Sequence, residues 1–210
     1  MTNAELIWNF LKRNGFNDYG AAGIMGNLHA ESALNPTNLQ NSYEDDLRMN
    51  DAEYTAAVDS GRYKKFAEDK AGYGIAQWTY PSRKQAYLNF AKARGKSIGD
   101  LETQLAFMIQ ELNQYGILNQ LKQETSVYDA STLFMLKYER PANQGEDYVK
   151  RRAGYGEVYY KQFATTPEMY IRKIVERVGY DDSASAIAAF KMAKHPFATD
   201  LFRKLWEALK

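Results

Sequence analysis

Apolar residues recur along most of the chain at helical rather than alternating intervals. Leu6, Ile7, Phe10 and Leu11 fall on one side of a 3.6-residue repeat. Thr2 or Asn3 can cap that first helix and Gly15 can close it. Asp18 is the expected cap of a second helix, over about Tyr19 to Ser32. Its Gly20, Gly23 and Gly26 each cost about 1 kcal/mol relative to Ala, which implies close packing of the backbone. The rhythm breaks from Asn35 to Met49, where Asn, Pro, Ser and Asp predict an irregular excursion or one small hairpin.

Helical spacing resumes over Asp51 to Asp59 and ends at Gly61. The glycine-punctuated stretch Gly72-Tyr73-Gly74-Ile75-Ala76-Gln77-Trp78 follows, and its glycines permit tight backbone approach. Helices are then expected from Ser82 to about Arg94, Asp100 to about Tyr115, Ser126 to about Tyr138 and Glu146 to about Phe163. Thr165-Thr166-Pro167 is the expected domain boundary, because Pro ends helices and a new pattern starts with Met169, Ile171, Ile174, Val175 and Val178. Short helices at about Ser183 to Lys194 and Pro196 to Lys210 complete the tail. The expected architecture is mainly α: a domain over residues 1–164, then a small three-helix unit over 167–210 with a core of Tyr180, Phe190, Phe197, Phe202 and Trp206.

Composition narrows the function. With 210 residues, 45% hydrophobic and 25% charged, the chain is of ordinary globular character. A net charge of +1 and no basic run interleaved with aromatics argue against a nucleic-acid partner. The absence of Cys removes disulfides, thiolate nucleophiles and cysteine zinc sites. Two separated histidines, His29 and His195, are too few for a zinc amidase, and no cofactor is expected. No apolar stretch approaches the roughly 18 residues of a membrane span, so membrane insertion is not expected. The segment Met1 to Asn9 is too short and acidic for a signal peptide, so export is expected to need outside help. Sixteen Tyr and three Trp suit carbohydrate faces as well as a core.

Ile24, Leu28 and Glu31 stand at i, i+4 and i+7 of the second helix, so the carboxyl projects from its apolar face and is expected to be half-buried. A carboxyl against apolar neighbours keeps its proton and can protonate a glycosidic oxygen. A surface Glu at a fraying helix end is the alternative reading.

Three blocks carry a resemblance: Gly23-Ile24-Met25-Gly26-Asn27-Leu28-His29-Ala30-Glu31-Ser32-Ala33-Leu34-Asn35-Pro36, then Asn38-Leu39-Gln40-Asn41-Ser42-Tyr43-Glu44, then Gly72 to Thr79. In this order they resemble the phage tail lysozyme family, peptidoglycan-cleaving domains of phage endolysins and tail proteins from Gram-positive hosts. The Glu31-Ser32 pair and Gly74-Ile75-Ala76-Gln77 also resemble blocks of goose-type lysozymes and lytic transglycosylases. The resemblance covers about Ala4 to Phe163 and implies a lysozyme-like catalytic domain. It further implies a muramidase acting on the bond between N-acetylmuramic acid and N-acetylglucosamine, with bacterial peptidoglycan as partner. A lytic transglycosylase, and a binding module that keeps the fold without catalysis, remain open.

Under that resemblance Glu31 is the acid, Gly74 and Gln77 line the sugar cleft, and Ser32 supports the acid or merely closes its helix. Glu44 is the expected second carboxylate, with Asp45, Asp46 or the substrate's acetamido group as alternatives. Trp78 and Tyr80 are expected to stack on sugar rings, with Tyr73 a weaker choice and His29 a cleft-wall residue. Glu139 and Arg140, in Tyr138-Glu139-Arg140-Pro141-Ala142-Asn143, are expected to pair across the fold in a structural role. The tail is expected to bind a cell-wall ligand, to extend the domain or to dimerise. The protein would be made in the host cytoplasm and reach the wall through a membrane hole made by another phage protein, or as part of a tail.

Overall fold

A capping box opens α1 (Asn3–Arg13): the Thr2 hydroxyl accepts from the Glu5 amide and the Glu5 carboxylate returns the bond. Ile7, Trp8, Phe10 and Leu11 are buried, whereas Leu6 lies on the outer side. The structure, a computed structural model, describes residues 1–164, Tyr170, Ile174 and residues 198–209. The chain divides into two compact units, Met1–Lys161 and Gln162–Lys210.

The first unit is built around α2 (Asp18–Ser32), buried at every position from Gly20 to Leu28. Its cap is Asn17 rather than Asp18, with the Asn17 amide oxygen accepting from the Gly20 amide at 2.7 Å. A Cβ at Gly23 would stand 2.6 Å from the Ala130 Cβ, and one at Gly26 would stand 2.4 Å from the Arg152 carbonyl. The glycines therefore let α8 (Val127–Phe134) and α9 (Glu146–Phe163) lie directly on the α2 backbone.

Between these come α3 (Asn41–Leu47), α4 (Asp51–Asp59), α5 (Pro81–Ala93), α6 (Leu101–Gln114) and α7 (Leu118–Gln123). The excursion expected after Asn35 contains a helix, α3, which corrects the hairpin reading. With no side-chain cap and no buried residue, α3 has none of the apolar periodicity that would reveal it. The only extended pairing among the described residues is two isolated antiparallel bridges, Leu39 with Tyr73 and Tyr73 with Trp78, so the tight hairpin-like turn forms in the glycine block. Pro81 at the first turn, with Tyr80 as N-cap, starts α5 one residue before the expected Ser82 cap. The six-residue α7 was not foreseen, since one buried residue, Leu121, establishes no period. Asp100 and Ser126 cap α6 and α8 as their sequence predicts.

After Phe134 the register widens into a π-helical turn, Met135–Glu139, closed by Arg140 in the left-handed region. In the second unit α10 (Ala198–Ala208) buries Ala198 and Phe202 with Tyr170, and Ile174 and Trp206 pack against them. The expected helix at 183–194, the boundary at Thr165-Thr166-Pro167, His195, and the positions Met169, Ile171, Val175, Val178, Tyr180, Phe190 and Phe197 lie outside the described residues.

Candidate active site

Glu31 and Ser32 form the last turn of α2, which stops because Ala33 (φ 52°) and Leu34 (φ 64°) both enter the left-handed region. Each such non-glycine residue costs about 1 kcal/mol or more. Bonds to neighbouring elements hold the turn. Asn3 donates to the Leu34 carbonyl at 3.0 Å, and the Ser32 hydroxyl reaches the carbonyls of Leu28 (3.2 Å) and Ile75 (3.0 Å). Ser32 thus both closes its helix and ties the Glu31 turn to the glycine block.

The apolar socket expected for Glu31 is corrected: its surroundings are ionic. Arg152, on α9, donates from Nη2 to Oε1 of Glu31 at 2.5 Å; the guanidinium side chain is 2% exposed and the carboxylate side chain 19%. The apolar spacing of α2 faces α8 and α9, and α9 brings a cation that no α2 periodicity can foretell. Nη1 of Arg152 donates to the Asn27 amide oxygen at 3.2 Å. Asn27 is itself anchored to the Gly23 carbonyl and to Ser131. Burial opposes the charge on Arg152, but Glu31, together with Tyr148 and Glu139, outweighs it and raises its pKa.

Where α2 ends, an open groove of about 360 Å³ is lined by Glu31, Gln40, Ala76, Gln77, Thr79, Tyr80, Arg83, Glu139 and Pro141. That volume lies within the range of ligand-sized clefts. Gln77 (φ 46°) is held strained by its side-chain amide, which donates to both oxygens of Asn38 and to the Gly74 carbonyl. Gly74 (φ 77°) is buried beneath the side chain of Gln104 and shapes the turn rather than lining the groove. Tyr80, 70% exposed at the groove edge, offers a free aromatic face.

Two expected sugar contacts belong instead to the core. Trp78 is 0% exposed, stacks on Tyr87 at 5.0 Å between centroids and donates its indole N–H to Glu111 at 2.9 Å. Tyr73 is equally buried, with its hydroxyl 2.6 Å from that of Thr55. Adjacent residues of a tight turn point to opposite sides, and the sequence does not say which side is wet. His29 pairs with the Tyr159 hydroxyl at 2.7 Å and packs 4.4 Å from the Tyr155 ring, which places it between α2 and α9 and not in the groove lining. Glu44, in the first turn of α3, is likewise not in the groove lining, and Asp45 and Asp46 are exposed.

The carboxyl that does join Glu31 in the groove is Glu139, delivered by the π-helical turn. Its expected pairing with Arg140 does not form: Arg140 donates from Nε to the Lys137 carbonyl and lies over the Tyr115 ring at 5.3 Å. Glu139 keeps partial exposure as a residue, but its Oε1 is shut off from solvent and has no hydrogen-bond partner. Burial first, and then the negative charge of Glu31, push its pKa well above the ordinary carboxyl range against the pull of Arg83 and Arg152. The block from Tyr138 to Asn143 was the available signal; only the packing separates a groove position for Glu139 from a purely structural one.

Arg83 completes the groove wall. It holds Glu111 with two bonds, at 2.7 and 2.9 Å, and lies 4.7 Å from the Tyr138 ring. Burial opposes its charge, but Glu111, together with Tyr138 and Glu139, more than restores it, so its pKa is raised. Glu111 also receives the Tyr138 hydroxyl at 2.7 Å, so one buried carboxylate fixes Trp78, Arg83 and Tyr138 together. Among the described residues no group of three or more His, Cys, Asp or Glu is arranged to hold a metal ion. Among them also, no helix is long and apolar enough to cross a membrane.

Helices packed on a buried central helix, with a carboxyl-bearing groove at that helix's end, define a lysozyme-like all-α domain. Residues 2–163 match the phage tail lysozyme family, and the chain belongs to it. Over 162 residues the chain is 27% identical to Morphogenesis protein 1 of Bacillus phage B103, a match covering 73% of this chain and 38% of that relative's length.

Proposed function

We propose that the chain cuts the glycan strands of bacterial peptidoglycan between N-acetylmuramic acid and N-acetylglucosamine, with Glu31 as the general acid. The observation that carries this reading is the open groove lined by the Glu31 carboxyl, a second carboxyl, Glu139, and the exposed Tyr80. Glycosidic cleavage needs a proton on the leaving oxygen as the C1–O bond breaks. Tyr80 supplies a stacking face for a sugar ring, and Gln77 and Gln40 offer polar groups along the wall.

Hydrolysis captures the sugar cation with water, whose proton returns to Glu31. Transglycosylation is a second reading, favoured by one observation: the one other carboxyl in the groove lining, Glu139, has its Oε1 shut off from solvent and is poorly placed to activate a water opposite the acid. In that case the muramic acid 6-hydroxyl attacks C1 and gives an anhydro end. The second unit is proposed to retain the enzyme on the wall, in a free endolysin or a tail component.

Digestion of purified peptidoglycan with mass analysis of the fragments tests these readings. Reducing ends indicate hydrolysis and anhydro ends indicate transglycosylation. Glu31→Gln should lower release by about 10²- to 10⁴-fold, whereas Glu44→Gln, outside the groove lining, should retain turnover. Unchanged release by Glu31→Gln would remove the assignment.

A further inference from the structure

Glu31 faces Arg152 as an ion pair, so the proton it must deliver needs a source. We propose that Glu139 is that source: the two groove carboxyls hold one proton between them, resting on Glu139 and passing to Glu31 for transfer to the glycosidic oxygen. This rests on the reading of Glu31 as the acid and assigns Glu139 a positioning role, acting through Glu31.

The argument begins with where the nearby cations are committed. Arg83 binds Glu111 in two-point fashion. Arg152 binds Asn27 and Glu31 through Nη1 and Nη2, and its buried Nε makes no bond to Glu139 or to any other group. Arg140 binds the Lys137 carbonyl and lies on Tyr115. None of the three donates to Oε1 of Glu139, which lies out of solvent without any partner. A carboxylate in that position would be a buried charge with an unmet acceptor; a carboxylic acid is the tolerable form. The charged groups acting on it from neighbouring elements are Glu31 on α2, Arg83 on α5, Glu111 on α6 and Arg152 on α9, and burial with the two carboxylates outweighs the two guanidiniums. The negative charge on Glu31 disfavours a second negative charge on Glu139 in the same groove.

The backbone delivers this pairing deliberately. The π-helical turn, closed by the Arg140 amide donating to the Met135 carbonyl at 2.8 Å, adds a residue to the last turn of the α8 helix and carries Glu139 to the groove. Such turns inside helices recur at functional sites. A residue needed only for packing there would be served by an apolar side chain without an unmatched oxygen.

The step balances without a co-reactant. Glu139 gives its proton to the Glu31 carboxylate and becomes the carboxylate. Glu31 then protonates the glycosidic oxygen as the C1–O bond breaks, its electron pair going to that oxygen. Water adds at C1, and its proton restores the pair.

The test uses the full chain. Infrared difference titration of the free protein should show a neutral carboxyl persisting at pH 7, and Glu139→Gln should remove that signal. In Glu31→Gln the like charge is gone and Arg152 is released, so the titration of Glu139 should move to lower pH by at least about one unit. With soluble peptidoglycan fragments, Glu139→Gln should shift the alkaline limb of kcat/KM downward by about one unit or more, while KM at acid pH stays within about twofold. A wild-type protein with no neutral carboxyl at pH 7, a signal that survives Glu139→Gln, or an unchanged pH profile overturns the proposal. If Glu139→Gln does not fold, the wild-type and Glu31→Gln titrations decide the matter. If the wild type cuts no peptidoglycan, the functional reading falls, and the infrared titration still decides whether the carboxyls share a proton.

Discussion

The guanidinium of Arg152 holds Glu31 from α9 while Asn27, one turn back on α2, holds the other side of the same guanidinium. The position of the Glu31 carboxyl is therefore set by a residue 121 positions away in sequence. Removing one member of a buried ion pair leaves the other uncompensated. Because the Glu31 side chain is 19% exposed, the upper end of such costs is not expected. Arg152→Met should lower stability in urea by about 2 kcal/mol and reduce kcat. A variant with full stability and full turnover would show that the pair positions nothing.

Gly26 tests the packing that brings those groups together. Alanine there gains about 1 kcal/mol of helix propensity, but its Cβ would meet the Arg152 carbonyl at 2.4 Å and the Gly156 amide nitrogen at 2.6 Å, both backbone atoms. Backbone cannot rotate aside as a side chain can, so Gly26→Ala should push α9 off α2 and cost about 2 kcal/mol net. Activity should fall further than stability, since Arg152 moves with α9. Thermal unfolding together with turnover on peptidoglycan fragments checks both.

Tyr80 and Trp78 should separate cleanly. Tyr80 is 70% exposed and Trp78 0%. Tyr80→Ala should raise KM by about five- to tenfold at unchanged Tm, the value of one sugar–aromatic contact. Trp78→Ala should cost about 3–5 kcal/mol of stability, because it empties core volume and removes one of the three bonds that Glu111 Oε2 accepts. Equal effects on Tm would contradict these placements.

The buried carboxyl and phenols predict the pH dependence of stability. Burial, and then the charge of Glu31, hold the Glu139 pKa well above that of an unfolded Glu, near 4.3. The folded state thus binds more protons above that pH, and stability falls as pH rises toward the folded value. Glu139→Gln removes that penalty and should be more stable than wild type at pH 7 by about 1 kcal/mol, with the difference shrinking toward pH 4. Tyr54, Tyr73, Tyr87 and Tyr138 have pKa values raised chiefly by burial. Their contribution is intact below the unfolded value of about 10 and drains above it. The Lys84 pKa is lowered, chiefly by burial, so that residue acts in the opposite sense. Four phenols outweigh one amine, so tyrosinate absorbance should rise cooperatively with loss of helix above pH 10. Gradual titration with the helices intact would refute this.

Local sequence determined a good deal of this protein. Caps at Thr2, Asp100 and Ser126, the helical spacing of apolar residues and the glycines of α2 follow from backbone chemistry that acts over a few residues. Glu31 at the end of α2 was legible in the same way. Only the tertiary structure decided what each group faces. Arg152 turned the expected apolar socket into an ion pair, Glu139 rather than Glu44 joined the groove, and Trp78 and Tyr73 turned inward. Dielectric surroundings and charge partners are sums over atoms brought close by packing, and those atoms come from segments that no local pattern connects.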